Sequence, residues 1–463
     1  MVGFGLGGIL LVVVLGMVAA RGGAGGTALT GPLASDSASN SPAAPSGLPS
    51  RSAGASSPVI GTATVNPGGP VAGTGVPPFA FGTLETQVQR ASEEAAKGVT
   101  VAMMELNWAA YEPAEGRFDD GYARRSRDRL MALRAAGMRV TLGLGLHYTP
   151  DWIFRYPDSR FVDQRGAQSS ALNLVFNQRL RLKAERYLAR VDRDLGLQNF
   201  WAVRLNSGGQ AEVLYPAGGS YWAFDRNAQN GGDLPPTMTA NPLPGWRPGD
   251  RSVSTRQVQR WADWYVRGLD DVVGWQMRFI TALGFTGYYQ LLTPGAGSKP
   301  EAYARDVANY LPDGITGVGA VWHRFYANLP QKRNVVAYVS SMADEPGRAH
   351  TCAAHDRAVR LTDRRVNDWP ATRWIARLAR EYGLHLSGEN PGWNLPSRLN
   401  GHYTDGSRAG MMASSVREMV SCGFQGMYWA HDEQLWDGTV SLDRYADWIA
   451  TTNGSHSPAP PMP

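Results

Sequence analysis

Cysteine is nearly absent from this chain of 463 residues: only Cys352 and Cys422 occur. That excludes a small disulfide-stapled scaffold and leaves either one bridge or two buried thiols. No Cys/His cluster has zinc spacing, and His350, Cys352 and His355 read as a turn-rich surface loop, so no metal is expected. Lysine is scarce too, confined to positions 97, 183, 299 and 332. Arginine carries nearly all the positive charge, but its rich windows, 124–134 and 179–193, interleave with acids as solvated helix faces do. With a formal charge of +5 and no one-sided basic stripe, the sequence argues against a nucleic-acid partner.

Val2–Ala20 is an uncharged apolar run ending in small residues. It reads as a secretory signal cleaved near Ala19-Ala20. It lacks a basic leading segment, and its ~18–19 residues nearly span a bilayer, so an uncleaved membrane anchor is the alternative. Either way the protein is expected outside the cytoplasm, secreted or tethered at its N-terminus. Residues 21–77 are Gly, Ala, Ser, Pro and Thr with almost no large apolar side chain, the composition of a disordered linker. The tail after Ala450, with 453–463 as its disordered part, reads the same way. Residues 78–452 remain as one catalytic-sized domain.

Within it, short apolar runs alternate with longer amphipathic stretches, the pattern of parallel β/α units. The expected strands are Phe79–Gly82, Thr100–Leu106, Arg139–Leu146, Phe200–Leu205, Phe285–Leu291, Asn334–Ser340, His385–Ser387 and Gly426–Trp429. Helices are expected over Glu85–Lys97, Gly121–Ala136, Asn177–Leu195, Thr255–Leu283, Trp369–Tyr382 and Arg408–Cys422. Eight such units predict an α/β fold, a (β/α)8 TIM barrel. Long insertions, Tyr215–Ser254 after strand four and Ala343–Asn367 after strand six, fall at the C-terminal rim, where such barrels build their sites.

Two glutamates stand out. Glu212 lies in Asn206-Ser-Gly-Gly-Gln-Ala-Glu-Val-Leu-Tyr-Pro216 after strand four, and Glu389 in Leu386-Ser-Gly-Glu-Asn-Pro-Gly-Trp-Asn394 after strand seven. Those strand ends face each other across a closed barrel. A carboxyl pair is the chemical minimum for breaking a glycosidic bond: one protonates the leaving oxygen, the other attacks carbon or activates water. Glu212 is assigned as proton donor, Glu389 as nucleophile or base. Candidate sugar contacts are Trp108 and Glu112 at the strand-two exit, His147 and Trp152 at strand three, and Asn206 and Tyr215 at strand four. Asn390 and Trp393 follow strand seven. Trp429, Asp432 and Glu433 end strand eight, and the two acids rival Glu389 as second carboxylate. Each has an ordinary structural alternative, a rim salt bridge, a turn or the core. Rim tryptophans (Trp222, Trp246, Trp393, Trp436) would suit sugar stacking.

Glu105–Asp119, together with Leu142–Asp163 and its Tyr-Thr-Pro-Asp-Trp and Arg-Tyr-Pro-Asp runs, resembles the N-terminal half of glycoside hydrolase family 42 barrels of the β-galactosidase type. That resemblance implies acid and nucleophile glutamates after strands four and seven, where Glu212 and Glu389 fall, and a retaining course. It departs at Ala211, since the family's acid directly follows an Asn. The segments Gly208–Pro216 and Gly388–Pro396 are similar to the catalytic-glutamate segments of β-amylases, inverting α-glucan hydrolases. The expectation is an exported, cofactor-free glycoside hydrolase with a carbohydrate substrate. The alternatives are a β-amylase-like inverting enzyme and a barrel that binds carbohydrate without cleaving it.

Overall fold

The computed structural model describes residues 79–344, 351–391 and 397–454. The expected signal or anchor, the linker, the last residues of the tail and Trp393 lie outside them. The barrel strands are β1 (Ala80–Thr83), β2 (Val101–Glu105), β3 (Arg139–Gly143), β4 (Ala202–Leu205), β5 (Tyr288–Thr293), β6 (Val335–Val339), β7 (His385–Gly388) and β8 (Gly426–Trp429). From β1 to β7 each strand pairs in parallel with its successor, and β8 pairs with β1. Between β7 and β8 the Gln425 amide donates to the Leu386 carbonyl, and Glu389 bridges to Tyr428. The fold is a (β/α)8 barrel.

Every strand is followed by a helix. These are α1 (Val88–Ala96), α2 (Asp120–Ala135), α3 (Gln178–Leu195), α4 (Thr255–Ala282), α5 (Trp322–Asn328), α6 (Ala371–Tyr382), α7 (Met411–Cys422) and α8 (Leu442–Gly454). Local chemistry sets their ends. Asp119 and Asn177 accept the amides of Tyr122 and Leu180, Ser254 and Gln257 form a capping box on α4, and Gly383 and Gly423 close α6 and α7 in the left-handed region.

Three details differ from expectation. β5 starts at Tyr288 because Phe285 still closes α4, its amide reaching the Ile280 carbonyl. A hairpin, Arg160–Val162 against Gln168–Leu172, fills the loop after β3. The expected tail is helical as far as Gly454, since Tyr445 and Ile449 are buried against the barrel. Asn453 then bonds both the amide and the carbonyl of Phe79.

Strand side chains alternate between barrel interior and helix layer. Phe81, Met104, Leu142, Val203, Leu291 and Met427 belong to the main core under the helices. Val101, Met103, Leu292, Tyr338 and Tyr428 form a separate interior cluster. The same parity turns Glu105, Thr141, Arg204, Gln290 and Glu389 inward. Glycines make room for them: a Cβ at Gly82 would meet the Tyr428 ring at 2.7 Å, and one at Gly143 would meet the Glu105 carboxylate at 1.8 Å.

Cys352 and Cys422 are disulfide-bonded, tying the loop after β6 to the end of α7. Their sequence separation of 70 means the bridge constrains the unfolded chain by about 4 kcal/mol in the chain-entropy account. The urea midpoint of a Cys352→Ser/Cys422→Ser variant should fall correspondingly, and a reducing agent should lower the parent to the same value while leaving the variant unmoved.

Candidate active site

The chain leaves β4 through Asn206, whose side-chain oxygen accepts the Gly208 amide at 2.8 Å. The next position, Ser207, is buried and donates its hydroxyl to the Leu214 carbonyl. The loop folds back on itself through Ser207 N to Glu212 O at 3.2 Å and is pinned to β5 through Val213 N to Leu292 O at 3.1 Å. Gly208, at φ 86°, and Gly209 fit closely against Leu174 and the hairpin. This return places the half-buried Glu212 at the mouth, seven positions past the end of β4.

Glu389 follows β7 directly. Its Oε2 accepts from Arg204 Nη2 at 2.9 Å and from the Tyr338 hydroxyl at 2.6 Å. Arg204 is buried, faces the rings of Tyr338 and Tyr428 at 4.4 and 5.5 Å, and donates from Nε toward Gln290 at 3.3 Å. Tyr428 in turn meets Thr141 at 2.7 Å and Gln290 at 3.1 Å. A cation sits at the centre of a polar interior layer, with Glu389 as its anionic partner.

Glu212 is the opposite case. Desolvation, then repulsion from Glu389, push its carboxyl up to about 7, opposed by Arg204. Glu105, which the sequence reading passed over, ends β2 in the same interior. Its Oε1 accepts the Gly145 amide at 3.0 Å, and burial pushes it up to about 7 against the pull of Arg204. His147 is pushed down to about 4 by burial, so its ring is neutral at physiological pH, with Nδ1 3.4 Å from the Asn206 side-chain nitrogen. Its ring lies 4.1 Å from that of Tyr148. Carboxyls from the exits of β2, β4 and β7 thus share one mouth, two of them raised to about 7 and one paired with a cation.

Most of the other expected sugar contacts are engaged inside the protein. Trp108 is fully buried, stacks on Tyr187 and donates to Glu112 at 2.9 Å. Glu112 is also buried and pairs with Arg186 at 2.6 Å. Trp152 packs edge-on against Trp108 and donates to the Glu112 carbonyl. Tyr215 lies under the loop, stacked 4.1 Å from Tyr265. Trp429 faces the helix layer against Tyr403 and Tyr445, because parity turns Tyr428 inward instead. Asn390 holds the Ala430 amide at 2.9 Å, and Asp432 the Glu85 amide at 2.7 Å, both fully buried. Trp246 is buried in an aromatic cluster with Trp261 and Tyr265, Trp222 is buried with its amide donating to the Tyr265 hydroxyl, and Trp436 donates to Glu94. Glu433 lies half-exposed beside His431. The structure brings together Glu212, Glu389, His147 and Asn206, and adds Glu105, Arg204 and Tyr338. Inward parity of strand residues was the signal for the added three.

No family model and no curated protein matches the chain. Among solved structures, the catalytic domain of a β-amylase from Paenibacillus polymyxa superposes with a TM-score of 0.55 at 13% identity, covering 82% of this chain and 100% of that one. A β-galactosidase from the psychrophilic Marinomonas ef1 gives 0.50 at 12% identity, covering 81% of this chain and 59% of that one. At these identities the likeness shows a shared barrel fold.

The raised carboxyls have a stability consequence. Between the ordinary value of 4.5 and about 7, folded Glu105 and Glu212 keep protons that the unfolded chain releases. Their contribution is therefore most favourable below 4.5 and declines as pH rises through that window. Urea unfolding at pH 4.5 and 7.5 should show a smaller pH-dependent loss in a Glu105→Gln/Glu212→Gln variant than in the parent.

Proposed function

We propose that this protein is an exported glycoside hydrolase in which Glu212 is the general acid and Glu389 the base. The observation that carries this is the contrast between two carboxyls at one barrel mouth. One is desolvated and keeps its proton to about pH 7; the other is held by a buried arginine and a tyrosine. A carboxyl whose proton is retained by burial, facing a second carboxyl held by an arginine and a tyrosine, is the pairing that acid–base cleavage of an acetal requires. The disulfide is in keeping with export, and the two superposing barrels carry the names of glycosidases.

The position of Glu212 favours the β-amylase-like, inverting course over the retaining one. In the family 42 pattern the acid directly follows the strand-four Asn, but here that position is Ser207, buried with its hydroxyl on Leu214. In the inverting step Glu212 gives its proton to the glycosidic oxygen as the C–O bond breaks. Water attacks the anomeric carbon from the opposite face and loses its proton to Glu389, whose Oε1 makes no hydrogen bond among the described residues. Arg204 and Tyr338 hold that carboxylate still. Glu105, His147 and Asn206 surround the sugar between the two.

Glu212→Gln and Glu389→Gln should each lower kcat by about 10²–10⁴-fold while glycan binding persists in calorimetry. Parent activity should decline as pH rises through about 7, as Glu212 loses its proton. NMR of the newborn sugar should show the anomer opposite to that of the substrate. Absence of turnover by the parent across a panel of α- and β-linked glycans would overturn the assignment.

A further inference from the structure

Where the first and last β/α units meet at the rim, three side chains converge that the hydrolytic reading does not use. Glu85 stands two residues past β1, His431 two residues past β8, and Glu433 two further on. One ligand atom from each lies within 4.8 Å of the others. His431 Nδ1 is 3.6 Å from Glu433 Oε1 and 3.9 Å from Glu85 Oε1. Ligand atoms at ~2.0–2.2 Å from a tetrahedral Zn²⁺ stand roughly 3.3–3.6 Å apart, so a slight contraction closes this set around an ion.

A second observation points the same way. Asp432, between two of the ligands in sequence, is fully buried; one oxygen holds the Glu85 amide and Oδ2 has no hydrogen-bond partner. Glu433 Oε2 is likewise a buried oxygen without a partner. Glu112 and Glu389, by contrast, are paired with Arg186 and Arg204. Arg129, from α2, donates to the Thr86 carbonyl and acts on Asp432 and Glu85 only through space. Thr83 and Trp436 occupy the neighbouring Glu94. The three ligand side chains keep 31–45% of their surface exposed, so an ion can enter from solvent.

We propose that Glu85, His431 and Glu433 form a binding site for one divalent transition metal, Zn²⁺ by preference, that clasps the β1 exit to the β8 exit. An imidazole with two carboxylates, and water in the fourth position, suits Zn²⁺ rather than Ca²⁺, which takes six to eight oxygens. The site is distinct from the carboxyl pair at the mouth, and hydrolysis does not depend on this assignment.

Titration of ZnCl2 into the chelator-treated full chain at pH 7.5, followed by calorimetry, should show one ion bound per chain, with a rise in the thermal unfolding midpoint. His431→Ala should weaken binding by about tenfold or more, and Glu85→Gln and Glu433→Gln likewise. Circular dichroism checks that each variant is folded, and any one folded variant suffices for the comparison. No binding by the parent, or equal affinity in the folded His431→Ala variant, would overturn the site. CaCl2 binding as tightly as ZnCl2 would overturn the choice of metal.

Discussion

Arg204 is the charge around which the interior of the barrel is arranged. A guanidinium placed inside a barrel carries a desolvation cost of several kcal/mol, recovered only when its donors and faces are matched. Here Glu389 supplies the countercharge, Gln290 accepts from Nε, and the rings of Tyr338 and Tyr428 lie against the cation. The same charge opposes the desolvation of Glu105 and Glu212 without cancelling it. One buried cation thus meets three nearby carboxyls differently: it is ion-paired with Glu389, and burial outweighs its pull on Glu105 and Glu212, which rise to about 7.

Such an interior is affordable because glycine and small residues occupy the matching inward positions. Gly82 and Gly143 leave the volumes that Tyr428 and Glu105 fill, and Ala202 lies one inward step below Arg204. The outward positions of the same strands are mostly apolar and pack against the helices, with Thr83 and Thr293 bonding Glu94 and Tyr326 there. An outer apolar core and an interior that turns polar toward the mouth therefore share the strands, separated by a single residue of register.

The barrel, its helices and the two glutamates were legible because hydrophobic periodicity and carboxyls after strands four and seven are local signals. Other features depended on parity or on distant packing. Trp429 and Tyr428 are adjacent aromatics, and only the register of β8 decides which one faces the site. Glu105 was read as the start of a rim segment, whereas the inward phase of β2 makes it part of the interior. The tryptophans of the strand-four loop looked like sugar platforms because rim aromatics often are. They brace that loop against α4 instead, through Trp246, Trp261 and Tyr265. The convergence of Glu85 with His431 and Glu433 could not be seen from spacing, because only closure of the barrel brings positions 85 and 431 together.

That closure has a further consequence at the opposite end. The Asn453 side chain holds both the amide and the carbonyl of Phe79, so the last helix finishes where the first strand begins. A ring whose termini already touch has no privileged starting point. A short linker from 454 to 79, with new ends opened in a solvent-exposed helix–strand turn, would give a circular permutant with every strand pair and both mouth carboxyls preserved.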